Sequence, residues 1–115
     1  IYDQLKSHEE FLTLPEATEN SDPSWFGFPI TLRDNLSISR TELLRHLDKK
    51  KIGFRLLFSG NVTKQPYMKE KKFRVVGNLS NTSTIMNNTF WIGVYPGLTH
   101  QELDFATDQI KKFVH

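Results

Sequence analysis

Two tetrapeptides of the form S/T-x-x-E, Ser39-Arg40-Thr41-Glu42 and Thr99-His100-Gln101-Glu102, constrain this chain more than any other feature. In each, the hydroxyl can accept from the backbone N–H of the glutamate while the carboxylate reaches back to the first residue. That exchange satisfies donors that the start of a helix otherwise leaves orphaned. Leu43, Leu44 and Leu47 follow the first box at helical spacing, and Leu103, Ala106, Ile110 and Phe113 follow the second. Two amphipathic helices are thereby predicted, one over about residues 40–51 and one near the C-terminus. Lys49-Lys50-Lys51 falls in the last turn of the first, where cations complement the helix dipole and read as a solvated helix end. Gly53 is placed to stop it.

Between and before these helices the chain reads as extended. Residues 25–32 form an aromatic and β-branched run that predicts a first strand, with Pro29 placing it at an edge or a bulge. Residues 54–58 predict a second strand, apolar except for Arg55, and residues 90–94 a third. Ile1, Leu5, His8 and Leu12 recur at three-to-four-residue spacing, which predicts a helix over residues 1 to about 12, ended by Leu14-Pro15. The remainder predicts a helical turn within residues 67–72, an extended piece at 73–76 with no assignable partner, and a short helix over about 82–88. Strands separated by helices, without an internal repeat, describe a two-layer α/β sandwich with helices on one face of a short sheet. A chain of 115 residues that is 37% hydrophobic supplies one core and not two.

Several function classes drop out on composition. Fifteen Lys+Arg against thirteen Asp+Glu leave a formal charge of +2, too little for a surface that binds nucleic acid through its phosphates. There is no cysteine, which removes disulfides, thiolate nucleophiles and cysteine-ligated zinc or iron–sulfur centres from this segment. No apolar run approaches the roughly 20 residues that span a bilayer, and no signal peptide opens the chain, so it reads as soluble without membrane insertion. His8, His46, His100 and His115 show no metal-ligand spacing, and no metal site is expected. Dinucleotide, Walker and nucleophile-elbow motifs are absent too, and Glu9-Glu10 reads as a solvated helix face. Five N-x-[ST] tripeptides, beginning at Asn35, Asn61, Asn78, Asn81 and Asn87, read as caps and turns. The chain opens on Ile1 with a helix already under way and no N-cap before it, which suggests a domain cut from a longer protein.

On physical grounds the segment Arg55-Leu56-Leu57-Phe58-Ser59-Gly60-Asn61-Val62-Thr63-Lys64-Gln65-Pro66 stands out. A cation within an apolar strand is costly unless its head is paired or reaches a solvated cleft, and Gly60-Asn61 lets the backbone approach a ligand closely. The plainer reading has Arg55 pointing to solvent from an exposed sheet face.

Three stretches in this order and spacing carry a family resemblance. They are Asp22-Pro23-Ser24-Trp25-Phe26-Gly27-Phe28, then Ile52-Gly53-Phe54-Arg55-Leu56-Leu57-Phe58-Ser59-Gly60-Asn61 with Gln65-Pro66, and Thr89-Phe90-Trp91-Ile92-Gly93-Val94-Tyr95-Pro96-Gly97-Leu98-Thr99. From Leu14 onward the chain resembles the C-terminal part of the nucleotide-sugar 3-dehydrases of the DegT/DnrJ/EryC1/StrS sugar aminotransferase family. The branch it is most similar to makes CDP-linked dideoxysugars for lipopolysaccharide, acting on CDP-6-deoxy-L-threo-D-glycero-4-hexulose. The resemblance implies the small C-terminal domain of the aspartate-aminotransferase (type I) fold. That domain is an α/β (α+β) two-layer sandwich with a short, mainly antiparallel sheet of about three strands covered by helices. Residues 1–13 would then be the end of an interdomain helix and 14–115 the small domain.

The same resemblance implies a bacterial, cytoplasmic enzyme of O-antigen synthesis that uses pyridoxal or pyridoxamine phosphate (PLP/PMP). A histidine replaces the usual lysine, a base removes a proton from the cofactor, and the C3 hydroxyl of the 4-keto sugar leaves. A two-iron two-sulfur cluster and a partner reductase complete the reaction in the CDP-sugar enzymes. The cofactor residues, the catalytic histidine and the cluster cysteines lie in the large domain upstream. No catalytic or metal-binding residue is therefore assigned here, and this chain alone is expected to be inactive. Its implied part is to close over the CDP-sugar, with Arg55 and Asn61 facing the sugar nucleotide and Phe58 and Gln65 nearby. Lys64 stands where family members often carry arginine, which keeps the charge but loses bidentate phosphate geometry. The full-length enzyme is expected to be a homodimer and the isolated domain a monomer. Two other readings stay open: the small domain of a PLP-dependent nucleotide-sugar aminotransferase, and a stand-alone, non-catalytic binding domain.

Overall fold

Both capping boxes form. Ser39 Oγ donates to Glu42 Oε2 at 2.7 Å, and the same carboxylate takes the Ser39 backbone N–H at 2.7 Å. Thr99 and Glu102 repeat the arrangement at 2.7 and 2.8 Å. The computed structural model describes Ile1–His115. A helical turn α1 (Tyr2–Leu5) runs into a 3-10 turn (Lys6–His8), then strands β1 (Leu12–Thr13) and β2 (Gly27–Leu32). Helix α2 (Arg40–Lys49), strand β3 (Phe54–Leu56) and two 3-10 turns (Val62–Lys64 and Pro66–Met68) follow. Helix α3 (Ser80–Asn88), strand β4 (Thr89–Gly93) and helix α4 (His100–Val114) complete the chain.

The sheet has the order β1-β2-β4-β3 with every neighbour antiparallel. Strand alternation builds the core. Phe28, Ile30 and Leu32 of β2 and Phe90 and Ile92 of β4 point to one face, where they meet Leu43, Leu44 and Leu47 of α2 and Ile110 and Val114 of α4. The two helices are also tied by His46 Nε2 against Gln109 Oε1 at 3.1 Å, and the His46 ring lies 5.0 Å from that of Phe113. The two-layer architecture is the expected one, with a fourth, two-residue strand added.

That extra strand corrects the expected N-terminal helix. Residues 1 to about 12 do not continue as one helix; after His8 the chain turns, and Leu12 and Thr13 pair with Leu32 and Thr31. Pairing there satisfies edge groups of β2 and removes Leu12 from water completely. The spacing did pick out buried positions, since Leu5 and Leu12 both belong to the core. Pro29 sits opposite Trp91, and β1 covers only Thr31 and Leu32 on the other flank. That half of β2 is an edge, so the missing donor costs no ladder bond.

Three further expectations change. The second strand stops at Leu56, short of Phe58, and residues 73–76 form no strand at all. Gly53 does not end α2. Lys51 takes the left-handed conformation at φ 62° instead, its N–H reaching Asp48 O at 2.9 Å and the Ile52 N–H reaching Leu47 O at 3.0 Å. These bonds close the helix by a Schellman turn that usually holds glycine. Lys51→Gly is therefore expected to raise stability by about 1 kcal/mol, read as a higher urea midpoint at constant slope. An unchanged or lower midpoint would show that Lys51 carries no strain.

Hydrogen bonds from the N-cap residues hold the Glu42 and Glu102 carboxyls below their ordinary value of 4.5. Because the folded value is the lower one, this stabilisation is complete above about pH 4.5 and is lost as pH falls through the folded values. The acid limb of a stability–pH curve should therefore flatten in the double variant Glu42→Gln, Glu102→Gln, and a curve of unchanged steepness would remove these carboxylates from the account.

Candidate functional site

The second face of the sheet is covered at one end only. Thr31 and Thr89 lie there, joined Oγ to Oγ at 2.7 Å, and Thr84 of α3 shares a cleft with Thr13 and Thr31. Arg40 fastens this end: its Nη1 donates to Met86 O at 2.7 Å and Thr89 O at 2.8 Å, joining the start of α2 to the end of α3. Burial pushes the Arg40 guanidinium below its ordinary pKa. Toward the other end, no helix covers Gly27, Pro29, Trp91 and Arg55. Gly27, Pro29 and Trp91 open into a mainly apolar bay of about 280 Å³ walled by Trp25, Phe26, Leu57 and Phe58, and Arg55 is the register partner of Trp91 on β3.

Register places Arg55, Trp91 and Pro29 in one row across β3, β4 and β2. Side chains directly opposite in such a row have Cβ atoms about 5 Å apart. Arg55 is exposed, and its one hydrogen bond runs from Nη1 to the Phe54 carbonyl at 3.1 Å. The two ion pairs of the structure, Lys6–Asp3 and Lys111–Asp108, leave it free. Its guanidinium is thus available to an anion at the edge of an aromatic surface. Phe58, in the wall of the bay, is 86% exposed.

The other two expected site residues take different positions. Asn61 is only 2% exposed. Its Oδ1 accepts from the Thr63 N–H and hydroxyl at 3.1 and 2.6 Å, and its Nδ2 donates to Ser83 Oγ at 3.3 Å. Gln65 Nε2 bridges the loop to Ser59 O at 2.7 Å. Both amides hold the loop that carries Phe58, Asn61 by tying it to Ser83 of α3 and Gln65 by closing it on Ser59, while Lys64 remains exposed. Gly60 makes that contact feasible, with φ of 66° and room for no Cβ, which would stand 2.8 Å from Met86 Cγ. The structure therefore puts Phe58 in the wall of the bay and Arg55 in the strand row of Trp91, and it commits the amides of Asn61 and Gln65 to Thr63, Ser83 and Ser59.

Trp91 and Gly27 join the site although neither carries a charge or motif that marks a ligand contact. The signal was present: three consecutive large apolar residues, Phe90-Trp91-Ile92, on an alternating strand force one of them onto the far face. A Cβ at Gly27 would overlap the Trp91 ring, so glycine there lets the indole lie down across the sheet. Phe26 packs against it at 5.3 Å between ring centroids. No cluster of His, Cys, Asp or Glu could hold a metal ion, and no helix is long and apolar enough to cross a membrane.

The domain is thus a small antiparallel sandwich with one helix-covered face and an open face that bears aromatic rings and, in their strand row, an unpaired arginine. Residues 1–111 match the DegT/DnrJ/EryC1/StrS aminotransferase family, and the chain belongs to it. Among its relatives, the lipopolysaccharide biosynthesis protein RfbH of Salmonella typhimurium is 59% identical over 95% of this chain and 25% of its own length. The dTDP-4-dehydro-2,6-dideoxy-D-glucose 3-dehydratase of Saccharopolyspora spinosa is 44% identical over 90% of the chain and 22% of its own length. The chain thus spans about a quarter of the length of these relatives. The fold matches that of E. coli GDP-4-keto-6-deoxy-D-mannose-3-dehydratase with bound hydrated PLP, with a TM-score of 0.81 and 23% identity over 94% of this chain and 27% of that one.

PLP is held by an amine or imidazole at its aldehyde carbon, a group facing its pyridine nitrogen and donors for its phosphate. The residues here do not fit it. The larger cleft, about 660 Å³ between Lys51–Gly53, Tyr95 and the start of α4, offers an amine in Lys51 but no group for the pyridine nitrogen, since Glu102 is its one carboxylate and is committed to the capping box. The bay has no ionisable side chain in its lining.

Proposed function

We propose that this chain is the small domain of a PLP/PMP-dependent nucleotide-sugar 3-dehydratase that makes CDP-linked dideoxysugars for lipopolysaccharide. Residues 14–115 close over the active site of the rest of the enzyme, and residues 1–13, which supply Leu5, Leu12 and strand β1, pack with them. The observation that carries this reading is the uncovered bay with Arg55 unpaired beside it, in a chain 59% identical to a lipopolysaccharide biosynthesis protein. Arg55 binds the anionic part of the sugar nucleotide, Phe58 contacts it, and Asn61 and Gln65 hold the loop in place. Cofactor, proton-transfer residues and the cysteines of a two-iron two-sulfur cluster belong to the rest of the enzyme, a cytoplasmic homodimer served by a reductase.

Two measurements test the reading. The 115-residue chain alone, given PMP and CDP-4-keto-6-deoxyglucose, should release no product, and turnover would sink the assignment of the chemistry elsewhere. The full-length enzyme under the same conditions should lose the C3 hydroxyl of the sugar. Transfer of an amino group from glutamate to C4, with C3 intact, would replace the dehydratase by the aminotransferase reading.

A further inference from the structure

We propose that residues 6–11 and the last turn of α4 form a pH-sensitive clasp, in which the His8 and His115 rings hold the N-terminal segment to that helix while neutral and release it when both carry a proton.

Three observations carry it. The first is the contact itself. His8 ends the 3-10 turn, and its ring meets that of His115 edge to face with centroids 5.2 Å apart, while Phe11 meets the same His115 ring at 5.8 Å. Neutral rings attract in this arrangement, the edge of one against the face of the other. Two imidazolium rings at the same separation repel, because each then carries a full positive charge.

The second is the charge around the pair. His115 and Lys111 reach His8 from α4 and Glu10 from its own segment. Lys111 is paired with Asp108 at 2.6 Å and Lys6 with Asp3 at 2.9 Å, and no carboxylate forms an ion pair with either histidine. A proton on each ring therefore adds two cations beside an existing one. Burial first, and then His115 and Lys111, hold the His8 imidazole below its ordinary 6.5. Since the folded value is the lower one, the contact is at full strength above about pH 6.5 and is lost as pH falls through the folded value.

The third is what the contact holds. Ser7 Oγ lies 3.0 Å from His8 Nδ1, and the Phe11 N–H donates to His8 O at 2.9 Å, so His8 sits within the turn that hands the chain to β1. On the other side, the His115 N–H closes the end of α4 on Lys111 O at 3.3 Å. Leu5 and Leu12 on the segment and Val114 on the helix are core residues. Opening the clasp thus frees a turn and a helix end while the core stays packed.

The test is amide hydrogen exchange of the full-length enzyme, read by mass spectrometry between about pH 8 and pH 5 and corrected for the intrinsic rate. Glu42 and Glu102 keep their charge across that window, because both are held below 4.5. Peptides covering residues 6–13 and 109–115 should lose protection together as pH falls below 6.5, and β4 should keep its own. In His8→Gln and in His115→Gln, protection of both peptides should be level across the window, whatever its starting value. His115 is exposed, so its variant keeps the proposal open to refutation even if His8→Gln misfolds. Equal protection at both pH extremes in the unaltered enzyme overturns the clasp. So does a loss that persists in the His115 variant, which would assign the titration to another group, and so does a parallel loss in β4, which would make it unfolding of the whole domain.

Discussion

Phe90→Ala is expected to lower the free energy of unfolding by about 3–5 kcal/mol. Phe90 is fully buried on β4, the strand paired on both sides, where Ile30 and Leu56 are its register partners. The ring sits in the cluster shared by the sheet and the helices, so its loss leaves a cavity bounded by both layers. Neighbours fixed by ladder bonds on either flank cannot collapse into the gap, which places the cost at the high end for a large-to-small change. Domains of this size have about 5–15 kcal/mol in total, so the variant should be partly unfolded at 37 °C. Urea denaturation followed by far-UV circular dichroism decides it. A loss below about 1 kcal/mol would mean that the layers repack freely and that Phe90 is not central to the core.

The second large effect is on function. In the full-length enzyme, Arg55→Ala should reduce kcat/KM for the nucleotide sugar by about tenfold to a hundredfold, because a hydrogen-bonded contact between guanidinium and phosphate contributes about 1.5–3 kcal/mol. Most of the loss should fall on KM, since the contact holds the substrate and does not distinguish it from its transition state. Arg55→Lys should recover only part, as an ammonium keeps the charge without the planar fork. The folded domain should not notice either change, because Arg55 is exposed and bonds only to its neighbour's carbonyl. Unchanged kinetics would return Arg55 to a solvent-facing residue on an open sheet.

Much of the candidate site was legible in the residues, though unevenly. Arg55 could be found because a charge interrupts an apolar strand, and Phe58 because it follows in the same run. The glycine before Asn61 suggests an amide facing a ligand, whereas in the structure that amide is turned inward onto Thr63 and Ser83. Nothing local distinguishes those orientations: Ser83 belongs to a helix that the loop meets only in the folded chain. Two of the other N-x-[ST] asparagines do act locally or as loop ties, Asn78 accepting from the Ser80 N–H at 3.0 Å and Asn35 donating to Glu10 O at 3.0 Å.

Sequence by itself determined the starts of α2 and α4, their apolar faces, and the inward residues of β2 and β4. Capping bonds span four residues, and the helical and strand periods are local, so each of these is written within a short window. Tertiary structure alone decided that Leu12 leaves the N-terminal helix to pair with Leu32, that Lys51 and not Gly53 closes α2, and that one end of the sheet stays bare around Trp91. Each of those depends on a partner distant in the chain: an edge strand with unpaired groups, a core that draws Ile52 inward, and a helix, α3, too short to cover the whole second face. Backbone pairing and burial are settled between elements and not within them, which is why local rules place the elements and only the assembled fold places the site.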